Sequence, residues 1–595
     1  MTTLRLDLLR SVAPILVGAA LLPACGLPDV TGADTEGTGG ADGDGTDGAS
    51  SGGTSGVPGD CTELGAADIA SDTTLPAGCY SVPQLLLVEN RIDMEPGVEI
   101  YFAQLGGLMV TGGVVSAVGT ADLPVVMTGA TEQGWQGVQF LGASSSDNRL
   151  EYVELDGAAD VGVDIGSASR LTVHASDISG APGFGLVAHA GAEVTITQTT
   201  FADNEIPLAV ALEAVEGIGS DNVFTDNAEQ IVQVEGGSLA DAAQWASPGV
   251  PLRLTGNINV ESDLVLDPGL EIEMPLASQI TVATTGSLSA PGTAEAPIVL
   301  RGTEDERGFW VGLSIASKAS ANVMTGCVLE NGGSDGWNGS PDSVGMIWLE
   351  DEAKLVMSGS TLRGSDGPAL NTFGDADVSG FADNVIENNH STIQVPPGMV
   401  HQIEASNTFT GNDEQFIRVG RIGANNAVID TTATWQALGI PYRVIDRFFV
   451  ESAWTVAAGA TVEVVQDRKI VIEPGGSLQA VGTADAPIVF MGAEQLAGYW
   501  QGLEIGSVSA SNELQFVELH HAGSDPFNGN TDSDGAIYLP EGSLTISDSL
   551  ISESGGYGIV VWNDAQLLGC GNVTFTDNAK ADTFVWDETA SSACP

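Results

Sequence analysis

One loop of this sequence carries oxygen ligands at the spacing that calcium-binding loops use. The loop contains Asn530, Asp532 and Asp534, followed by Gly535, and continues to Glu541. Alternate side chains at such positions can converge on one cation, and a glutamate in the twelfth position can chelate it. The flanking residues are typical of strands rather than of the helices that normally frame this motif, so a hydrated turn is the alternative. Ca²⁺ is the one cofactor that the sequence suggests.

Two related loops place an aromatic ring beside amide and carboxylate groups. One contains Trp337 and Asn338, and the other contains Phe527 and Asn528. A ring can stack on a sugar face while nearby oxygens accept protons from hydroxyl groups, so both loops are candidate sugar-binding sites. The alternative is that each ring folds back onto the chain and contributes to packing.

The adjacent histidines His520 and His521 have no counterpart in the related segments of the chain described below. This difference predicts a specific ligand-binding role, and solvent-facing turn residues are the alternative. The densest basic cluster lies upstream, and we expect its members to offset neighbouring acids: Arg443, Arg447, Arg468 and Lys469. The sequence contains no nucleophile elbow, phosphate loop or zinc-protease motif, and it therefore assigns no catalytic residue.

The six cysteines are distributed unevenly. Cys61 and Cys79 lie near the start of the part that is rich in apolar runs, and Cys570 and Cys594 lie near its end. In an oxidising compartment these pairs can form two loop-closing disulfides. Cys327 stands where the related segments have valine, and we expect it to be a small buried hydrophobe.

The chain is strongly acidic, with 79 Asp and Glu against 18 Lys and Arg and a net charge of −61. Such a surface repels phosphate backbones, so nucleic acid is excluded as a partner. It also disfavours polyanionic glycans. Divalent cations or cationic peptides fit it better, and a solvated face that maintains solubility is the simplest interpretation.

A repeat of 190 residues positions all of these groups. Residues 245–349 align without a gap with residues 435–539, and the phrases Gly-Thr-Ala-x-x-Pro and Trp-x-Gly recur in both copies. A third copy, more diverged, holds the same phrases near Gly119 and Trp135. Short apolar or alternating runs between Gly, Asn, Asp and Pro predict many strands and no helices. The tryptophans Trp135, Trp310 and Trp500 occupy one repeated position, which predicts packing.

The repeated phrases resemble those of right-handed parallel β-helix proteins of the pectate-lyase-like superfamily, particularly surface lipoproteins of Gram-negative bacteria. They include an Asn at 148, 322 and 512 and a Phe-Thr-x-Asn phrase near each copy's end. The resemblance implies an all-β solenoid of some twenty coils in which Asn side chains form ladders. We expect three continuously stacked modules, at residues 61–245, 246–435 and 436–595. The catalytic signatures of the superfamily's lyases and hydrolases have no matching residues in this chain.

The N-terminal residues predict the cellular localisation of the protein. Residues 1–24 resemble a lipoprotein signal peptide, because two arginines precede a short apolar run that ends before Cys25. The resemblance implies a lipid-modified Cys25 and an anchor in the outer membrane, with ordinary secretion as the alternative. Residues 25–60 are rich in Gly, Asp, Thr and Ser and predict a disordered tether.

These features favour a non-catalytic, lipid-anchored surface rod that binds glycans, ions or surface proteins. The alternative is an envelope polysaccharide lyase or glycoside hydrolase that acts along the β-helix groove. A third hypothesis is calcium-dependent adhesion through the loop that ends at Glu541. Equivalent shallow faces in all three modules favour binding, whereas one isolated cleft of carboxylates favours an enzyme.

Overall fold

The alternation of apolar and polar residues produces strands that bury one side and expose the other. The computed structural model describes residues 56–337, 339–420, 427–586 and 591–592. The signal peptide, Cys25 and tether residues 25–55 lie outside the described residues, as do Asn338 and Cys594. Among the described residues, no helix is long and apolar enough to cross a membrane.

Within the described ranges, the fold consists of sixty-one short strands. The first module contains β1 Thr62–Glu63, β2 Thr73–Leu75, β3 Gly78–Val82, β4 Leu85–Val88, β5 Arg91–Met94, β6 Val98–Phe102, β7 Gly107–Val110, β8 Val114–Val118, β9 Val125–Gly129, β10 Val138–Phe140, β11 Arg149–Glu151, β12 Val153–Asp156, β13 Val161–Ile165, β14 Arg170–His174, β15 Asp177–Ser179, β16 Phe184–Ala188, β17 Glu193–Thr197, β18 Thr200–Ala202, β19 Ile206–Val210, β20 Val223–Thr225, β21 Val232–Val234, β22 Gly237–Leu239 and β23 Ala243–Trp245. The second contains β24 Leu252–Leu254, β25 Ile258–Val260, β26 Asp263–Leu266, β27 Glu271–Met274, β28 Gln279–Val282, β29 Ser287–Pro291, β30 Ile298–Gly302, β31 Gly312–Ile315, β32 Val323–Thr325, β33 Cys327–Glu330, β34 Ile347–Leu349, β35 Val356–Ser358, β36 Thr361–Arg363, β37 Pro368–Thr372, β38 Val385–Glu387, β39 Ser391–Val395, β40 Thr408–Thr410, β41 Ile417–Val419, β42 Val428–Ile429 and β43 Ala433–Trp435. The third contains β44 Tyr442–Val444, β45 Phe448–Val450, β46 Ala453–Val456, β47 Thr461–Val464, β48 Lys469–Ile472, β49 Ser477–Val481, β50 Ile488–Gly492, β51 Gly502–Ile505, β52 Glu513–Gln515, β53 Val517–His520, β54 Gly535–Leu539, β55 Ser543–Ser547, β56 Leu550–Ser552, β57 Tyr557–Val561, β58 Gln566–Gly571, β59 Thr574–Thr576, β60 Thr583–Val585 and β61 Ser591–Ser592.

All of the stacked strands pair in parallel, and they form a β-helix of about 21 turns. The predicted all-β solenoid is confirmed. Two sheets of 14 strands run through the module junctions, β4 to β40 and β22 to β59, so stacking continues across both junctions. The expectation of no helices was wrong in detail, because four short 3-10 helices occur at Leu212–Gly217, Pro341–Ser343, Pro397–Gln402 and Thr531–Ser533. The first and third of these replace a strand on one side of a turn.

Successive modules are rotated about the solenoid axis. The strand after Trp-x-Gly is β10 in the first module, β31 in the second and β51 in the third, and these three equivalent strands lie in three different sheets. The strand β30, which follows Gly-Thr-Ala in the second module, continues the sheet of β10 instead. One repeat therefore spans a whole number of turns of the solenoid plus one further side of the coil. As a result, equivalent loops in successive modules project from different sides of the solenoid.

A single apolar core extends along the lumen from Leu64 to Leu567. The repeated tryptophans are fully buried, which confirms that they serve packing. The indole Nε1 of Trp310 donates to the carbonyl of Glu330 at 2.7 Å, and Trp500 does the same to His520 at 2.8 Å. Cys327 is buried as expected, and burial raises the pKa of its thiol to about 12.

Buried asparagines bond each turn to the next. The side-chain oxygens of Asn148, Asn322 and Asn512 each accept a backbone N–H from the preceding turn, at 2.9 to 3.0 Å. Asn204 stacks on Asn227 and donates to its side-chain oxygen at 3.1 Å. These side chains satisfy backbone groups that the corners of the coil would otherwise leave unpaired. The predicted asparagine ladder is confirmed.

Outward-facing charges alternate in sign from turn to turn along the second module. Arg253, for example, donates to Glu273 of the next turn at 2.7 Å. Parallel strands in register place equivalent outer positions about 4.8 Å apart, so opposite charges there attract and like charges repel. The alternating series consists of Arg253, Glu273, Arg301, Glu330, Arg363 and Glu387.

Replacing one buried asparagine tests how much the hydrogen bonds at the corners of the coil contribute to stability. Asn204→Ala removes the acceptor of the Ala181 amide and the donor to the Ile178 carbonyl. Because buried groups then lose their partners, we expect a loss of about 2–4 kcal/mol in stability. Denaturant unfolding measures the loss, and hydrogen exchange at the Ala181 amide should accelerate. Gln104→Ala, at an exposed position, is the control, with a change within about 0.5 kcal/mol. Equal effects of the two variants would contradict the argument.

Candidate functional site

The calcium-like loop does not close around a common centre. Asn530 caps the helix Thr531–Ser533, and its side chain accepts the Asp532 amide. Asp534 instead binds the ammonium of Lys580 at 2.6 Å, and Lys580 also donates to the Thr531 carbonyl. A cationic side chain of the protein thus occupies the position beside Asp534.

Glu541 lies away from the other three predicted ligands. The five-residue strand β54 separates it from Asp534, and an extended chain covers about 3.3 Å per residue. Within the described residues, no group of three acidic, histidine or cysteine side chains is arranged to hold a metal. The structure therefore does not bring the predicted calcium ligands together.

The two aromatic loops pack back onto the solenoid to different degrees. The ring of Phe527 stacks on Tyr538 with a centroid distance of 5.0 Å, and Asn528 donates to the Tyr538 hydroxyl at 2.9 Å. Trp337 is half-buried and donates to the Gly345 carbonyl at 3.0 Å. Both rings serve packing, but Phe527 remains half-exposed at the wall of a cleft described below.

The two histidines lie at the base of the loop that carries Phe527. His521 is 5% exposed, and its Nε2 lies 2.7 Å from Glu553, while its Nδ1 is buried without a hydrogen-bond partner. His520 contacts the Ser552 hydroxyl at 2.7 Å. Burial lowers the pKa of His521, against the opposing effect of Glu553. The pair supports the loop rather than facing open solvent.

One of the two predicted disulfide bonds is present near the N-terminal end of the solenoid. Cys61 and Cys79 form a disulfide bond. The segment between them contributes Leu64 and Ile69, each 3% exposed, which cover the first turn of the core. Cys570 is also disulfide-bonded, and its predicted partner Cys594 lies outside the described residues.

A cleft on the outer face of the third module gathers charged, polar and aromatic side chains. It has a volume of about 590 Å³ and opens where β45 and β48 begin. Arg447 directly precedes β45, and Arg468 directly precedes β48, which is hydrogen-bonded to β45. The lining residues used below are Asp446, Arg447, Phe449, Asp467, Arg468, Lys469, Gln501 and Phe527. We call this group the third-module cleft.

Aromatic rings form one wall and continue beyond the cleft. Phe449 is half-buried, and the Arg447 guanidinium lies 4.6 Å from its ring centroid. Lys469 lies 5.2 Å from the Phe527 centroid and pairs with Glu504 at 2.5 Å, which holds the ring beside the sheet. Past Phe527 the ring contacts continue: Phe527 stacks on Tyr538, Tyr538 meets Trp562 edge-on, and Trp562 stacks on Trp586.

The second module provides an internal comparison, because its residues align with the cleft without a gap. At the positions of Arg447, Arg468 and Lys469 the second module has Asn257, Ser278 and Gln279. Asp446, Phe449, Asp467 and Gln501 likewise correspond to Gly256, Asn259, Ala277 and Val311. The fold tolerates small neutral residues at these positions. The charges and the Phe449 ring are therefore not requirements of the solenoid.

The two arginines of the cleft differ from the other basic residues in their pairing. Of the 18 Lys and Arg residues, Arg5, Arg10 and Arg421 lie outside the described residues. Among the remaining 15, all except Arg447 and Arg468 form an ion pair with a described Asp or Glu. Both exceptions are solvent-exposed and line the same cleft.

The structure divides the four residues of the predicted basic cluster into two that form an ion pair within the described part of the chain and two that do not. Arg443 does offset an acid, since it pairs with Glu463 at 2.7 Å, and Lys469 pairs with Glu504. Arg447 and Arg468 have no such partner among the described residues. Aligning the basic cluster with the second module could have shown that it is specific to one copy, because the alignment there has no gap.

Comparison with known proteins does not assign a family. No protein-family model matches the sequence, and no curated protein matches it significantly. The function must therefore be argued from the fold and from the third-module cleft.

The pH dependence of stability tests the position of His521. Because burial lowers its pKa, the unfolded chain binds a proton at this residue more readily than the folded chain. The stabilisation is complete above the ordinary histidine pKa of about 6.5 and is lost as the pH falls towards the folded value. We expect His521→Asn to reduce the fall in the unfolding midpoint between about pH 7.5 and pH 5.

The second module supplies the matched design for this experiment. Asn331 occupies the equivalent position with the same positive φ of 65° as His521, so asparagine is compatible with that backbone. Identical pH profiles of the parent protein and His521→Asn would show that His521 has no shifted proton affinity.

Proposed function

We propose that the protein is a non-catalytic, lipid-anchored rod of the cell surface that binds a glycan in the third-module cleft. The observation that carries the proposal is a cleft in which the rings of Phe449 and Phe527 stand beside Gln501 and charged groups. Sugar rings stack on aromatic faces, while polar side chains bond their hydroxyl groups. The second module has the same backbone but lacks this combination of residues.

The solenoid supports this proposal by its rigidity. About 21 turns at about 4.8 Å per turn give a rod roughly 100 Å long. A cleft in the third module then lies far from the N-terminal end, from which the proposed tether and lipid anchor at Cys25 extend. Such an arrangement presents a binding site away from the membrane.

Binding measurements on cleft variants test the proposal. Phe449→Asn introduces the residue of the second module, and Phe527→Ala removes the other ring. We expect each to weaken binding of a glycan identified on an array by about fivefold or more, because a buried contact ring is lost. Asn259→Ala, the matched position in the second module, should leave affinity unchanged.

Catalysis is the second candidate function, because Asp446 and Asp467 lie in the same cleft as Arg447. Carboxylates and a basic side chain around one sugar are the groups that a lyase or hydrolase needs. Shortening of the bound glycan during incubation, abolished by Asp467→Asn, would replace the binding proposal. An intact glycan that binds with the expected variant pattern supports it.

Lipid attachment is a separate part of the proposal. Attached acyl chains hold a protein on one leaflet, and more than one chain is needed for stable anchoring. In its native host we expect the protein to incorporate labelled fatty acid and to partition with membranes. Cys25→Ser should abolish both properties. If the Cys25→Ser variant still incorporates the label, the lipid is attached at a residue other than Cys25.

A further inference from the structure

Two exposed guanidinium groups in one cleft of an acidic protein need an explanation. The chain has 79 acidic residues, and the other 13 described Lys and Arg side chains each contact one of them. Arg447 and Arg468 do not, although both are exposed and free to seek a partner. Neither is needed by the fold, because the second module has Asn257 and Ser278 there.

The positions of the two arginines are set by neighbouring strands. Phe448 pairs with Ile470, so β45 and β48 are adjacent, and each arginine directly precedes its strand. The same register places Arg447 opposite Lys469 and Arg468 opposite Asp446, so the two arginines are diagonal neighbours on consecutive turns. Adjacent parallel strands lie about 4.8 Å apart. The Arg447 guanidinium is also held against the Phe449 ring at 4.6 Å, which limits its freedom.

From these observations we infer that the third-module cleft binds a single tetrahedral oxyanion, a phosphate or sulfate monoester, on an otherwise uncharged sugar. This inference rests on the proposed glycan-binding function and specifies its ligand. A guanidinium fork donates two parallel hydrogen bonds to an oxyanion. A carboxylate has only two oxygens and is satisfied by one fork, whereas a monoester has three terminal oxygens and can accept from both arginines.

The surrounding charge restricts the ligand to one anionic group. Asp446 and Asp467 line the same cleft, and Glu504 lies beside it on Lys469. A polyanion would bring further negative charges against these carboxylates and against a chain of net charge −61. The half-buried rings of Phe449 and Phe527 line the cleft and offer apolar contact to an uncharged sugar beside the Arg447 guanidinium. One face of Phe527 already stacks on Tyr538. A polyuronate fits this surface poorly.

Matched ligands test the inference directly. The probes are pairs of saccharides that differ only by one phosphate or sulfate monoester, with inorganic phosphate, polygalacturonate and phosphatidylglycerol vesicles as further arms. We expect the monoester to bind at least about tenfold more tightly than its neutral partner, because charge-assisted hydrogen bonds form. Inorganic phosphate should compete, and added salt should weaken binding. Vesicle binding equal to that of the sugar ester would assign the oxyanion to a lipid headgroup and overturn the sugar part of the inference.

Variants separate this inference from the proposed function. Arg447→Asn with Arg468→Ser restores the residues of the second module and should remove at least about tenfold of the preference for the monoester. Arg170→Ser is the control, since it also removes an exposed arginine but lies in the first module beside Glu193. Melting temperatures establish that all variants are folded.

Three outcomes contradict the inference in distinguishable ways. If neutral and esterified saccharides bind equally and Phe527→Ala weakens both, the oxyanion site is wrong and the glycan-binding proposal stands. If no saccharide binds to the parent protein, both are wrong. Tight binding of polygalacturonate would contradict the restriction to one anionic group.

Discussion

The parallel register of successive turns is the constraint on which the rest of this structure depends. Every outward side chain lies about 4.8 Å above the equivalent side chain of the preceding turn, so each surface position is repeated along the rod. In an acidic chain this arrangement stacks carboxylates on carboxylates unless bases intervene. The alternation of Arg253, Glu273 and Arg301 shows how the few bases are used. Because this register uses basic residues to separate carboxylates, a basic residue without a carboxylate partner indicates a role other than charge balance.

Rotation of the modules gives the rod more than one functional side. The equivalent loops that contain Trp337 and Phe527 follow strands in different sheets, so they project from different sides of the solenoid. The repeat thus copies the scaffold, but the equivalent loops do not form a row of identical sites along one side of the solenoid. The third copy, unlike the second, combines rings with arginines at these positions, which favours a specific ligand over repeated weak contacts along one face.

The fold could be predicted from the sequence because its causes are local and repeated. The phrases around Trp310 and Trp500 fix the same buried indole and the same corner in each copy. The calcium-like loop could not be judged in this way, because its spacing takes no account of the extended strand β54 that carries Glu541 away. Nor could sequence show that Lys580, 46 residues after Asp534, supplies the cation there. The pairing of Arg443, and the absence of an ion pair at Arg468 within the described part of the chain, likewise depend on neighbours in other turns.

Two arginines without an ion-pair partner among the described residues, set beside carboxylates in one cleft, bear on the selectivity of the proposed site. At physiological ionic strength, charges are screened over about 8 Å, so a ligand in the cleft experiences Arg447 and Arg468 strongly but still meets the nearest carboxylates. In the proposed complex, one small anionic group would contact both guanidinium groups, whereas further charges on the ligand would also meet Asp446 and Asp467, which line the same cleft. Net repulsion therefore acts against densely charged polymers while the local pair retains a single ester. Selectivity of this kind needs no enclosed pocket, which is consistent with an open cleft on the side of a rod.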